Sequence, residues 1–372
     1  MPNLFDPISL GKLALPNRIM ISPMCQYSAS DGNAGAWHYA HLGGLALSGA
    51  GLLCLEATAV SPEGRITPGC LGLWSDENEA AMRPVLDTLR KVSPIALAIQ
   101  LAHAGRKAAS ASPWEGGGLL APQEGGWQTI APSALAHGAR EAAPQAMSLD
   151  DIARVREDFA AAARRAVRLG FQAIEVHGAH GYLLHQFMSP IANARNDAYG
   201  GSLENRIRLA LEVFDAVRNA VPADIPVGMR VSATDWYDDG PCWDLEQTIV
   251  LAHALKAAGA DWIDVSSGGV TPLQKISVGP GYQVPFAQAV RAATGLTTMA
   301  VGLITEARQA QAIIEEGQAD MVALGRAMLY NPRWPWHAAA ELGARVDGAR
   351  QYWRGLPSGT PRIFGDTIYG QR

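Results

Sequence analysis

Residues 227–266 have the sequence VGMRVSATDWYDDGPCWDLEQTIVLAHALKAAGADWIDVS. This stretch shows most clearly the repeating unit from which the fold can be predicted. Val227 to Ser232 and Trp262 to Ser266 are short, largely apolar runs, which indicates strands that are buried on both faces. Between them, Asp244 to Ala258 has the pattern of a helix and is followed by Gly259, a residue that commonly ends helices. A strand, a helix and a second strand in this order predict a βαβ unit on a parallel sheet.

The same alternation continues along nearly the whole chain. We expect eight strands, at Arg18–Met24, Leu52–Glu56, Ile95–Leu101, Ala173–His177, Val227–Ser232, Trp262–Ser266, Thr298–Val301 and Met321–Leu324. We expect helices at Asp150–Leu169, Ser202–Val221, Asp244–Ala258 and Thr305–Glu316. This order predicts an α/β fold, a single (β/α)8 TIM barrel. A doubly wound open sheet is the alternative, but the G-x-G-x-x-G motif that it would need after its first strand is missing.

The length of 372 residues exceeds that of an ordinary domain, although barrels of this type often reach it. No linker divides the sequence, so we expect one barrel over residues 1–350 and a C-terminal extension over residues 351–372. Ala108 to Met147 is rich in Gly and Pro and follows the third strand. This long loop is either a lid over the barrel mouth or a surface insertion.

Charge and composition exclude several classes of function. The net charge is −5, from 30 Lys and Arg against 35 Asp and Glu, which lacks the positive field that nucleic-acid binding requires. The start of the chain has no signal-peptide pattern, and the most apolar stretch, residues 43–55, is too short to span a bilayer. We therefore expect a soluble, cytoplasmic protein with no membrane or nucleic-acid partner. The four cysteines are Cys25, Cys54, Cys70 and Cys242. They form no C-x-x-C pair, which argues against a zinc site, an iron–sulfur site and a disulfide framework.

Polar residues follow several predicted strands at their carboxyl ends, where barrels of this type hold their active sites. Glycine turns after the seventh and eighth strands, at Gly302 and at Gly325 with Arg326, are typical of phosphate binding. Gln100 offers both a donor and an acceptor, and Arg230 is a permanent cation. Together they predict a site for a phosphorylated, electron-accepting ring, and flavin mononucleotide (FMN) fits that description.

The fourth strand runs into the sequence EVHGAHGY at residues 175–182. Its two imidazoles, His177 and His180, and the phenol of Tyr182 could donate hydrogen bonds to a carbonyl oxygen or an oxyanion. His-x-x-His could also chelate a metal, but no third acidic ligand is evident and Arg230 would repel a cation. The residues therefore favour oxygen binding over a metal site.

These motifs resemble the Old Yellow Enzyme family of FMN-dependent ene-reductases. The likeness runs from Leu4 to about Gly355 and is most specific in HGAHGYLLHQFMSP at residues 177–190 and YGGSLENR at residues 199–206. QLAHAGR at residues 100–106 is similar as well. SPMC at residues 22–25 resembles the thermophilic-like subgroup of the family.

The resemblance implies a fold, an activity and cofactors. The expected activity is the NAD(P)H-dependent trans hydrogenation of the activated C=C bond in enones, maleimides and nitro compounds, with tightly bound, non-covalent FMN and NADPH or NADH as hydride donor. The FMN would be lined by Ser22, Pro23, Met24, Cys25, Ala57, Gln100, Arg230, Gly302, Gly325 and Arg326. Four residues would take part in catalysis. His177 and His180 would bind the substrate oxygen, Tyr182 would protonate the α-carbon, and Cys25 would tune the flavin. Tyr27 would touch the substrate oxygen.

The end of the chain carries a further implication. Arg354, in QYWRG at residues 351–355, matches an arginine that reaches the neighbouring subunit's active site in the subgroup, so a homodimer or a dimer-of-dimers tetramer is expected. The tail from Leu356 to Arg372 runs past the family's usual end. The remaining alternatives are a larger flavoprotein of the same class, a metal-dependent barrel hydrolase that uses His177 and His180, and a non-catalytic flavin-binding protein.

Overall fold

The computed structural model describes residues 1–365. Its strands are β1 Ile8–Leu10, β2 Leu13–Leu15, β3 Ile19–Ile21, β4 Leu52–Ala59, β5 Ala96–Ala102, β6 Ile130–Ala131, β7 Gln145–Ala146, β8 Ala173–Gly178, β9 Val227–Ser232, β10 Trp262–Ser266, β11 Thr297–Ala300 and β12 Met321–Leu324. Its α-helices are α1 Ala36–Ala46, α2 Asp76–Val92, α3 Leu149–Arg168, α4 Leu183–Met188, α5 Leu203–Ala220, α6 Leu245–Ala257, α7 Val284–Thr294, α8 Ala307–Glu315, α9 Arg326–Tyr330 and α10 Trp334–Leu342. The last part of the predicted C-terminal extension, residues 366–372, lies outside the described residues.

Eight parallel strands close into a barrel in the order β3, β4, β5, β8, β9, β10, β11 and β12. These are the eight runs predicted from the sequence, so the (β/α)8 barrel is confirmed. The first strand differs most from its prediction, because it ends at Ile21 and not at Met24. Pro23 has no N–H to continue the ladder, and Ser22 N makes the last bond of this strand, to Leu324 O at 3.0 Å.

The residues that point into the barrel change character along the strands. Those nearer the amino ends form one apolar cluster of Leu10, Leu15, Met20, Leu52, Cys54, Ala96, Ala98, Ala173, Trp262, Met299, Met321 and Ala323. Leu10 and Leu15 come from the β1–β2 hairpin, which the sequence did not predict and which closes this end of the barrel. The inward positions nearer the carboxyl ends are polar and buried: Gln100, Glu175, Arg230 and Asp264. The barrel is therefore sealed at one end and polar at the other.

All four predicted helices are present, as α3, α5, α6 and α8. Ser148 and Ser202 cap the first two, and each side-chain oxygen accepts a hydrogen bond from the backbone three residues on. The predicted start of α8 at Thr305 was wrong, since the helix begins at Ala307 without a side-chain cap. Among residues 1–365, no helix is long and apolar enough to cross a membrane.

The predicted long loop, Ala108 to Met147, follows β5 and is partly ordered by the short parallel pair β6–β7. Arg106 donates from Nη1 to Leu135 O at 3.0 Å and from Nη2 to Val270 O at 2.8 Å, which ties the loop to the segment after β10. At the other side, the ring of Trp114 packs edge-on against Tyr27, with centroids 5.5 Å apart. The loop thus contacts two sides of the barrel mouth, which favours the lid hypothesis over a surface insertion.

Candidate active site

The turn after β8 holds its residues in an uncommon backbone conformation. His180 has a φ of 59° and Gly181 a φ of 71°, and a Cβ on Gly181 would lie 2.0 Å from Gly269 O. The strain at His180 is held by its neighbours, because its N–H donates to Ser232 Oγ at 2.9 Å and its carbonyl accepts from Lys107 Nζ at 2.8 Å. A non-glycine residue forced into the left-handed region is typical of functional sites.

His177 is a neutral hydrogen-bond donor that faces His180 and Tyr182. Its ring centroid lies 5.2 Å from that of His180 and 5.0 Å from that of Tyr182. Ala179 N donates to His177 Nδ1 at 3.2 Å, so the ring proton lies on Nε2. Burial, together with the charge of Arg230, lowers the pKa of His177 well below its ordinary value and keeps the imidazole uncharged.

His180 is also neutral, because burial lowers its pKa well below the usual range. Its Nε2 lies 2.7 Å from Ser266 Oγ. Gln283 Oε1 accepts the Ser267 hydroxyl at 2.6 Å and lies farther from Ser266 Oγ, at 3.3 Å. If the Ser266 hydroxyl donates to His180 Nε2, the ring proton lies on Nδ1. The two rings then offer two uncharged N–H donors.

Tyr182 retains its phenolic proton over the whole physiological range, because burial raises its pKa well above the ordinary value. Lys107 Nζ lies 5.1 Å from the centre of the Tyr182 ring, and burial lowers the Lys107 pKa to about 8. Sequence reasoning missed Lys107, although it directly follows the QLAHAGR motif.

Cys25 lies among backbone and sulfur groups at the end of β3. The N–H of Ala57 donates to its sulfur, and its thiol hydrogen-bonds to Cys70. The contact with Cys70, followed by burial, raises the pKa of Cys25 well above its ordinary value, so this residue is a thiol and not a thiolate. Cys70 Sγ also accepts from Thr67 N at 3.4 Å. The sequence showed Cys70 only as one of four dispersed cysteines, and the contact with Cys25 was missed.

Arg230 lies below this site in a cluster with two buried carboxyl groups. Its Nε is 3.2 Å from Asp264 Oδ2, and Gln100 Nε2 donates to Glu175 Oε1 at 2.8 Å. Burial, followed by the charge of Asp264, raises the pKa of Glu175 to about 8, and burial raises that of Asp264. Sequence reasoning assigned no role to Glu175 or Asp264, although both alternate with other inward-facing residues of their strands.

A cavity of about 190 Å³ opens at the carboxyl ends of β11 and β12. Its walls include Arg230, Ser266, Gln283, Gly302, Gly325 and Arg326. Gly302 is required there, because it has a φ of 119° and a Cβ would lie 2.8 Å from Gln283 Nε2. Within the described chain, Ser22 Oγ is buried with no hydrogen-bond partner. A free hydroxyl, an arginine and a glycine-lined cavity fit a phosphorylated ring such as FMN.

Arg354 is the one predicted site residue that the structure does not bring to this mouth. It is exposed on the short helix Arg350–Gly355, which packs against α10, with the rings of Trp336 and Tyr352 5.9 Å apart. Pro23 and Met24 lie between Ser22 and Cys25 in the segment after β3. Among residues 1–365, no group of three or more His, Cys, Asp or Glu side chains could hold a metal ion.

A (β/α)8 barrel with a glycine-lined cavity, a buried arginine and uncharged polar rings at its mouth is the arrangement expected of a flavin-dependent oxidoreductase. Comparison with known proteins agrees, because the model of the NADH:flavin oxidoreductase / NADH oxidase family matches residues 3–344. The chain belongs to this family, and it is an FMN-dependent oxidoreductase of the Old Yellow Enzyme type.

Individual relatives are similar over nearly their full length. An NADH:flavin oxidoreductase of Gibberella zeae is 44% identical over 94% of this chain and 88% of its own. An NADPH dehydrogenase of Geobacillus thermodenitrificans is 43% identical over 95% of this chain and 98% of its own. Among solved structures, a morphinone reductase superposes with a TM-score of 0.76 at 31% identity, covering 93% of this chain and 91% of its own.

Proposed function

We propose that this enzyme is an ene-reductase, which hydrogenates the activated C=C bond of enones, maleimides and nitro compounds. The observation that carries the proposal is the cluster of His177, His180 and Tyr182. These are three uncharged polar rings, and the His177 centroid lies 5.2 Å from that of His180 and 5.0 Å from that of Tyr182. Two neutral N–H groups bind a carbonyl oxygen and stabilise the negative charge that develops on it. The neutral phenol is a proton source for the neighbouring carbon.

The residues that would hold FMN lie on or directly after six barrel strands, β3, β4, β5, β9, β11 and β12. Ser22 to Cys25 would line one side of it, Gln100 its edge, and Gly302 with Gly325 and Arg326 its phosphate. When bound, FMN takes two electrons from the reduced nicotinamide and delivers them to the β-carbon of the alkene. Cys25, which is a protonated thiol, would lie beside the cofactor and tune it.

The proposal extends to the partners of the enzyme. The substrate oxygen would touch Tyr27 as well as the histidine pair, and NADPH would be the hydride donor, in line with the names of several relatives. We place the chain in the thermophilic-like subgroup and in the cytoplasm. Arg354, exposed and remote from its own mouth, would complete the site of a second subunit in a homodimer or tetramer.

The test uses phenol binding as well as turnover. The FMN-loaded enzyme should bleach with NADPH and recolour with cyclohexenone. A phenolate mimics the enolate oxygen, so titration with a substituted phenol should give a long-wavelength charge-transfer band. Replacing both His177 and His180 by Ala should abolish this band and leave the bleaching by NADPH within a few-fold.

A matched control replaces a histidine outside the site. His253→Ala, on the outer helix α6, should leave the phenol band unchanged. An unchanged band in the double variant would show that the histidines do not bind the oxygen. A colourless protein that takes up no FMN would overturn the whole proposal.

A further inference from the structure

The centre of the barrel contains more acid than base. Glu175 and Asp264 are fully buried on β8 and β10, and Arg230 lies between them on β9. The sheet register pairs Arg230 with Asp264 and also with His177, the substrate-binding histidine. One guanidinium therefore lies beside two carboxyl groups, directly below the proposed site.

The Arg230 guanidinium contacts Asp264 on one side and the cavity on the other. Its Nε lies 3.2 Å from Asp264 Oδ2, while the residue also lines the cavity at the ends of β11 and β12. Neither carboxylate oxygen of Asp264 makes a hydrogen bond within the described chain, so the ion pair with the Arg230 guanidinium is the contact that holds this side chain. The forked end of Arg230 is thereby directed to the cavity.

Glu175 is surrounded by groups from each strand that packs against it. Gln100 of β5 donates to its Oε1 at 2.8 Å, and the indole N–H of Trp262 on β10 lies 3.5 Å from its Oε2. The charged groups that act on it are Asp264 and Arg230. It also faces Cys54 on β4. Burial raises the pKa of Cys54 well above the ordinary value, so this thiol stays protonated.

Two buried carboxylates with one guanidinium would leave an uncompensated negative charge, which a low-dielectric interior disfavours. The cluster therefore keeps a proton at neutral pH, and the pKa of Glu175 rises to about 8 accordingly. A further negative charge above Arg230 would draw on the same guanidinium and would strengthen the affinity of the carboxyl pair for a proton.

We propose that Glu175 is the proton site that compensates the charge of reduced FMN, and that Asp264 is a positioning residue that holds Arg230 toward the cofactor. The inference rests on the proposed location of FMN above Arg230. Hydride transfer from NAD(P)H brings two electrons and one proton to the cofactor, whose ring system then gains one negative charge. The compensating proton comes from water and binds the Glu175 carboxylate, so one additional proton is taken up per two electrons wherever Glu175 is ionised in the oxidised enzyme.

The test is a potentiometric titration of enzyme-bound FMN between pH 6 and pH 10. The plot of midpoint potential against pH should steepen by one proton per two electrons above about pH 8 in the wild type. Glu175→Gln, which imitates the protonated carboxyl, should remove this change of slope. Asp264→Asn keeps an oxygen acceptor for Arg230 but removes a negative charge, so it should raise the midpoint potential at every pH.

Glu79→Gln is the matched control, because it removes a carboxylate on the outer helix α2 and should leave the whole plot unchanged. A wild-type plot without the change of slope, or a Glu175→Gln plot that keeps it, would overturn the role of Glu175. An unchanged potential in Asp264→Asn would overturn the role of Asp264. These outcomes need no alkene, and FMN binding is measured first, so they are separable from a failure of the proposed ene-reductase activity.

Discussion

The two ends of the barrel interior are built from the same strands but differ in chemistry. Along β10, three successive inward positions are occupied by Trp262, Asp264 and Ser266. Trp262 belongs to the apolar cluster, Asp264 pairs with Arg230, and Ser266 contacts His180. Because inward positions recur every second residue, only one of them, Asp264, lies between Trp262 in the core and Ser266 in the active site.

Stability and activity are therefore separated along the barrel axis. The amino end is closed by the β1–β2 hairpin and excludes water, whereas the carboxyl end collects groups whose burial is costly unless they are paired. Substitutions at the two ends should therefore have different readouts.

Tyr182→Phe should act almost entirely on one half of the reaction. Removing the phenolic O–H takes away the proposed proton donor, so reoxidation of the reduced enzyme by cyclohexenone should slow by about 10²–10⁴-fold. Reduction by NADPH should change little, and so should the free energy of unfolding. Anaerobic stopped-flow absorbance measures both half-reactions, and equal slowing of the two would count against the role of Tyr182.

Trp262→Ala should act on stability. The side chain is almost fully buried at the amino end, and Gly228 packs so closely on it that an added Cβ would lie 2.2 Å from the indole. We expect a loss of about 3–5 kcal/mol in the free energy of unfolding, measured by urea titration with excess FMN. The control is Trp37→Ala, on the exposed side of α1, which should cost less than about 1 kcal/mol. Equal losses in the two variants would contradict the separation.

Sequence alone was sufficient for the features that are local. The eight barrel strands were predicted because buried parallel strands are continuous apolar runs. His177, His180 and Tyr182 lie within six residues of one another, so a single turn had to bring them together. The short pairs β1–β2 and β6–β7 were missed, because strands of three and two residues have too few positions to show a period.

The rest of the site depends on distances that no local pattern contains. Cys25 and Cys70 are brought together by the loop after β4, and Arg230 meets Asp264 only through the register of β9 with β10. An acidic residue inside an apolar run does signal a buried charge, so Asp264 and Glu175 could have been flagged. Their partners could not, since strand order and register are set by closure of the barrel.

Glu175→Gln should change how stability depends on pH. The pKa of Glu175 is raised from 4.5 to about 8 in the folded protein, so the folded state keeps a proton that the unfolded chain releases. This residue's contribution to stability is therefore complete below about pH 4.5 and is lost as the pH rises through about 8. Gln does not titrate. The free energy of unfolding of the variant should therefore rise relative to that of the wild type between pH 5 and pH 9, by an amount on the order of a few kcal/mol.

Urea titrations at several pH values with excess FMN measure this difference. A difference between Glu175→Gln and the wild type that does not change with pH would show that the carboxyl group is already ionised at neutral pH in the folded protein. Glu79→Gln, the outer-helix control, should show no such trend.

Trp114→Ala should have the smallest effect and should act on substrate selection alone. The ring is 70% exposed, so its loss should cost little stability, yet it packs edge-on against Tyr27 at the mouth. An edge-to-face aromatic contact contributes about 0.5–1.5 kcal/mol, which corresponds to a change of roughly two- to tenfold. The KM of enones with a second ring should rise by that factor, while the KM of cyclohexenone and the kcat of both should stay constant.

Tyr330→Ala, which removes an exposed ring from α9, is the control. An equal rise in KM for small and large enones would place Trp114 in the binding of the carbonyl group itself, and the long loop would then belong to the catalytic end of the barrel and not only to its rim.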